Sequence, residues 1–188
     1  LAGDTAGEGS DAFTAYVIDN STGKQVAELQ QPLSEIFYAR QVYCLGYYYN
    51  EALIGIEINY STYPQKKLEE WRYPKFYQRE RFDTFTGEMV KAFGWATTAQ
   101  TRPVILAELH TIMDEAPELV TSYHTLGEML TFVYDKNRKP QAASGQHDDL
   151  VMAAAITVGL YRFPTSFCTM STGRIPPCSL PTTGLRSA

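Results

Sequence analysis

Cysteine and histidine are both scarce in this 188-residue sequence, with three of each. Cys44, Cys168 and Cys178 form no CxxC pair, which argues against a structural zinc site. Their odd number and wide spacing read as reduced thiols of an intracellular protein. His110, His124 and His147 have no nucleophile partner close in sequence, and there is no GxSxG elbow, so a Ser–His or Cys–His hydrolase is not indicated. "STGKQ" lacks the glycine spacing and the Ser/Thr after Lys of a Walker loop, and "AGEGSD" is not GxGxxG. No apolar run approaches the roughly 18 residues of a membrane span, and no signal peptide is visible. Without secretion, the N-x-Ser/Thr matches at Asn20 and Asn59 read as chance. There is no internal repeat.

What remains is an ordinary globular composition, 44% hydrophobic and 20% charged, enough for one domain with a real core. The first residue is Leu, and the sequence reads as a piece of a longer chain. The net charge of −5 argues mildly against a nucleic-acid partner, but its distribution is uneven. Residues 1–60 carry eight acids and two bases, whereas residues 66–91 carry five acids and seven bases. An acidic end beside a basic, aromatic middle suits a metal site next to a polyanion-binding surface. Ordinary surface variation produces the same pattern equally well.

Hydrophobic periodicity predicts the elements. "LAGD" reads as the end of a strand, and "DAFTAYVIDN" and "KQVAELQQ" as a hairpin around "STG". "PLSEIFYARQVYCLGYYYN" reads as an amphipathic helix. "ALIGIEINY" reads as a short buried strand, whose pleat puts Leu53, Gly55 and Glu57 on one face and Ile54, Ile56 and Ile58 on the other. Residues 60–72 read as a short helix, and "YPKFYQRERFDTFTGEM" as strands around a turn. "TRPVILAELHTIMDEA" and "HTLGEMLTFVYDKN" read as helices, and a last helix runs from near Asp148 to about Phe163. The Pro-, Ser- and Thr-rich residues 164–188 read as a tail. This order implies an α/β domain over residues 1–163, a mixed sheet with helices on both faces.

Three acidic positions stand out. Asp4 lies where a strand gives way to a Gly-rich turn. Glu57 lies on an otherwise apolar strand. Asp148 and Asp149 open a helix that is apolar nearly all round. Each has an ordinary explanation: an Asx-turn for Asp4, an Arg from a distant helix for Glu57, an N-cap with a solvated neighbour for the Asp pair. Taken together, carboxylates from separate elements without neighbouring Lys or Arg point to a shared cation. Hard oxygen ligands favour Mg²⁺ or Mn²⁺, and two such ions suit phosphodiester hydrolysis. Of the Asp pair, Asp149 shares a helix face with Met152, Ala153 and Ile156, so it is the one expected over the sheet, with Asp148 at the rim.

Four stretches, "GDTAGEGSDAFTAYVID", "LIGIEIN", "GWATTAQTRPVILAEL" and "SGQHDDLVMAAAI", resemble in order and spacing the nuclease domain of tailed-bacteriophage terminase large subunits. The resemblance covers about residues 1 to 163. It implies an RNase H-like (RuvC-like) fold with a five-stranded mixed sheet, cutting double-stranded DNA during genome packaging with two divalent ions, Mg or Mn. The family's metal-ligating, catalytic acids fall on Asp4, Glu57 and the Asp148–Asp149 pair. Asp11 and His147 match positions of supporting rank. The family also implies an ATPase motor domain ahead of the nuclease, absent from this sequence, and the portal and small terminase subunit as partners. The setting implied is the cytoplasm of the infected bacterial host, transiently at the procapsid portal.

Beside the acids, "KKLEEWRYPKFYQRER" offers Lys66, Lys67, Arg72, Lys75, Arg79 and Arg81 as candidate phosphate contacts, interleaved with Trp71, Tyr73, Phe76 and Tyr77. The ordinary alternative is a solvated face with the aromatics packed inward. Two other functions stay open at this point: another RNase H-like nuclease of the resolvase or transposase type, and a non-catalytic DNA-binding or motor-docking module.

Overall fold

Two strands and a turn set the frame. Phe13–Ile18 (β2) and Gln25–Gln31 (β3) pair antiparallel, as the alternating sequence predicts. Asp19 closes the turn by accepting hydrogen bonds from Ser21 and Thr22, and Gly23 takes a φ of 75° there. The computed structural model describes residues 1–5, 12–136 and 139–162, and the backbone of Phe167–Thr169 and Arg186–Ser187. Asp11 and most of the expected tail lie outside the described residues.

Ala2–Asp4 (β1) runs antiparallel to β2, and Gly55–Ile56 (β4) lies parallel to β1 on its other side. With Arg186–Ser187 pairing on β3, the sheet has five strands of mixed direction. The strand expected over "ALIGIEINY" narrows to two residues, continued by single bridges from Ile54 to Phe76 and from Glu57 to Trp95.

Helices cover both faces, as expected. Glu35–Tyr48 (α1) and Tyr63–Glu70 (α2) lie on one side, where Ile54, Ile56, Val42, Leu45 and Leu68 are fully or nearly fully buried. Thr101–Glu115 (α3) and Asp149–Arg162 (α5) lie on the other, where Ala2, Tyr16, Ile105, Ala154 and Ile156 are buried together. The approach of α5 is tight. A Cβ on Gly55 would come within 2.5 Å of Leu160 Cδ1, so a larger residue there would push the Leu160 side chain aside.

Two expectations need correction. The helix predicted over "HTLGEMLTFVYDKN" stops at Leu130: Tyr123–Leu130 (α4) gives way to Phe132–Tyr134 (β7), paired with Pro140–Ala142 (β8). The run Thr131-Phe132-Val133-Tyr134 is β-branched and aromatic, and it takes the extended form once a partner strand is present. Second, Cys44 is disulfide-bonded rather than a reduced thiol.

Candidate active site

The carboxyl ends of β1 and β4 stop side by side. Gly3 pairs with Ile56, and Glu57 N–H donates to Gly3 C=O at 2.8 Å, which makes Asp4 and Glu57 next-door neighbours just past the register. Glu57 is only 4% exposed. The Glu57 side chain is close enough to Asp4 to act on its carboxyl directly. Burial, then Glu57, then Asp149 and Asp148, push the Asp4 carboxyl well above the ordinary carboxylate range. Asp4 Oδ1 is buried with no hydrogen-bond partner. Among the described residues, no Lys or Arg forms an ion pair with Asp4 or Glu57, so the distant Arg envisaged for Glu57 is not there.

The third component arrives from α5. Its first residue is Asp149, whose C=O accepts a bond from Thr14 Oγ1 at 3.1 Å. Thr14 is the β2 residue directly opposite Asp4, so one hydroxyl ties the helix start to the acidic end of the sheet. The Asp149 backbone is thereby held at the sheet end, and His147 Nδ1 lies 3.8 Å from its Oδ2. Asp148, the residue before the helix, turns to the rim. Its Oδ2 accepts from Arg102 Nη2 at 3.2 Å, while its C=O accepts the helical bond from Met152.

Neither Asp148 nor Asp149 is the residue that caps α5. Glu128, on α4, reaches across so that its Oε2 accepts from Leu150 N–H at 2.8 Å and Val151 N–H at 3.2 Å. Its Oε1 accepts from Gln30 Nε2 at 2.6 Å. The donors that an N-cap would satisfy are thus taken by a carboxylate 22 residues upstream in sequence. Both Asp side chains are released from that duty. Burial pushes the Glu128 carboxyl up, against the pull of these donors. Thr14, Glu128 and Arg102 are residues at this site that sequence reasoning missed. None has a local signal, because each acts on a segment remote in the chain.

Among the described residues, no group of three or more His, Cys, Asp or Glu side chains stands ready to hold a metal ion. The acids act on one another electrostatically, and one of them faces Arg102. The chemistry of the donor set nonetheless fits a hard divalent cation: oxygen ligands only, and a buried Asp4 oxygen with no partner.

The candidate DNA-binding residues divide. Tyr73 and Phe76 are fully buried, and Trp71 and Tyr77 pack against the two cores, so the aromatics belong to the interior. Lys75–Asp83 (β5) pairs with Glu88–Phe93 (β6), and the pleat puts Lys75, Arg79 and Arg81 on one face of β5. Burial and the Arg81 charge lower the Arg79 pKa. Lys67 is engaged by Glu70 on α2, Lys66 and Arg72 are exposed, and Arg72 has a φ of 54°.

No protein-family model matches the sequence, and comparison with curated proteins returns no match. Among solved structures, the large terminase nuclease of the thermophilic phage G20c superimposes with a TM-score of 0.61. The match covers 85% of this chain and 80% of that one, at 16% sequence identity. The chain has the fold of that nuclease. The RNase H-like architecture expected from the resemblance therefore holds. In a terminase nuclease fold with these elements, the acids read from sequence sit at the carboxyl ends of adjacent parallel strands and at the start of the last described helix.

Proposed function

We propose that the chain is the nuclease domain of a phage terminase large subunit, hydrolysing phosphodiester bonds of double-stranded viral DNA during genome packaging. The observation that carries this reading is the buried Asp4 carboxyl, which has one oxygen without a partner and feels the charges of Glu57 and Asp149 from two other elements. An apolar interior does not gather carboxylates without a compensating cation. The likeness to the G20c nuclease supports the same assignment.

Asp4, Glu57 and Asp149 would hold one divalent ion, Mg²⁺ or Mn²⁺, and Asp148 would help hold a second. When bound, such ions supply the positive charge that activates the attacking water and stabilises the leaving oxygen, giving 5′-phosphate and 3′-hydroxyl ends. The chain's own part is positional. Thr14 and Glu128 pin the start of α5, the β1–β4 register fixes Asp4 against Glu57, and Lys75, Arg79 and Arg81 offer one face to phosphates without reading sequence. His147, beside Asp149, and Asp11, which lies outside the described residues, are assigned supporting roles on the sequence resemblance. An ATPase motor ahead of this segment, the portal and the small terminase subunit complete the assembly in the cytoplasm of the infected host.

Plasmid DNA incubated with the chain tests the reading. Cutting is expected with Mg²⁺ or Mn²⁺ and none in EDTA. Undiminished cutting in EDTA, with contaminating nucleases excluded, would sink it.

A further inference from the structure

Among the described residues, a cation from α3 reaches the acidic end of the sheet. Arg102 lies in the first turn of that helix, with its side chain 22% exposed. Nη2 donates to Asp148 Oδ2 and to Pro140 C=O, both at 3.2 Å, and Nη1 approaches Met152 Sδ at 3.0 Å. Pro140 opens β8 and Met152 lies in the first turn of α5, so three elements fix one guanidinium. Its Nε is buried with no partner among the described residues. A guanidinium cannot shed its proton, so it must find an anion when it is desolvated. The anion it has found is a member of the proposed ligand set.

We propose that Arg102 is a resident counter-cation that competes with a divalent ion for Asp148, and so weakens the second metal position. The inference rests on the two-metal reading above. Four carboxylates meet at this end of the fold. The guanidinium relieves Asp148, which lowers the repulsion within the cluster before metal arrives. An ion that enters beside Asp148 meets a positive charge already in place. When Asp148 turns to a metal, Pro140 C=O and Met152 Sδ still hold the guanidinium in place, but neither is an anion, which adds to the cost of filling that position. The second position would then fill only at higher metal concentration, or when an added anion takes up the guanidinium.

Calorimetric titration of the chain with Mn²⁺ alone, without DNA and at low ionic strength, tests this directly. Two binding events are expected in the unmodified chain. Arg102→Gln should tighten the weaker one by about fivefold or more, the effect of removing a unit charge a few ångströms away. Asp148→Asn should loosen it, and on that background Arg102→Gln should change nothing further. Unchanged or weaker Mn²⁺ binding by folded Arg102→Gln protein overturns the proposal and leaves the two-metal reading intact. A wild-type chain that binds fewer than two ions overturns both. Should Arg102→Gln fail to fold, the ¹⁵N signal of Arg102 Nε–H, assigned by its loss in Arg102→Lys, can be followed as Mg²⁺ is added. It should move with the weaker event, and a signal that stays in place overturns the competition.

Discussion

Asp4→Asn separates a carboxylate kept for chemistry from one kept for structure. In the fold, Asp4 is pushed well above its ordinary value of 3.8, chiefly by burial and then by Glu57. A carboxyl raised in this way contributes stability that is complete below about 3.8 and is lost as pH rises through the folded value. The metal-free chain should therefore weaken as pH climbs from 4 towards 8. As an order of magnitude, two like charges about 4 Å apart at an effective dielectric of about 20 repel by about 4 kcal/mol, and protonation of Asp4 and solvent access reduce that. Replacing the acid by a neutral amide that can donate to Glu57 should recover about 1–3 kcal/mol, or roughly 3–10 °C in Tm for a domain of this size. The assay is thermal unfolding in EDTA at pH 4.5 and pH 8, with and without added Mn²⁺. Asp4→Asn should be more stable than the parent at pH 8, nearly equal to it at pH 4.5, insensitive to Mn²⁺, and inactive on DNA. A lower Tm than the parent at pH 8 would refute the reasoning, because it would make Asp4 a structural acceptor.

The remaining predictions address the helix start and the basic strand. Glu128→Ala removes the acceptor of two α5 donors and should cost about 1.5–3 kcal/mol in urea unfolding, with Glu128→Gln near half of that; a loss under about 0.5 kcal/mol would mean that α5 finds another cap. Asp149→Asn should abolish cleavage, whereas Asp148→Asn should keep partial activity at high Mn²⁺; full activity in the first would assign the chemistry to the wrong neighbour. Replacing Lys75, Arg79 and Arg81 together should weaken DNA binding and flatten its dependence on salt, and an unchanged slope would put the duplex on another surface.

Period-2 alternation in β2 and β3, turn residues between them and helical spacing in α1, α3 and α5 are local patterns, and local patterns are legible in one dimension. So is the oddity of Glu57 among isoleucines, and of two acids before an apolar helix, because burial of charge is costly wherever it occurs. The face of Asp149 follows from the same helical geometry, 100° per residue. Other features depend on segments remote in the chain. "TFVYDKN" reads as the continuation of a helix until β8 supplies its ladder partners. The opening Asp pair reads as a cap until Glu128 is seen to hold Leu150 and Val151. Arg102 is an unremarked helix residue until α3 and α5 pack and bring its charge to Asp148. Sequence alone determined which residues are too polar for their surroundings, since that depends on neighbours along the chain. Only the tertiary structure decided which remote group compensates each of them, because hydrogen bonds and ion pairs act over a few ångströms, a distance that chain separation does not encode.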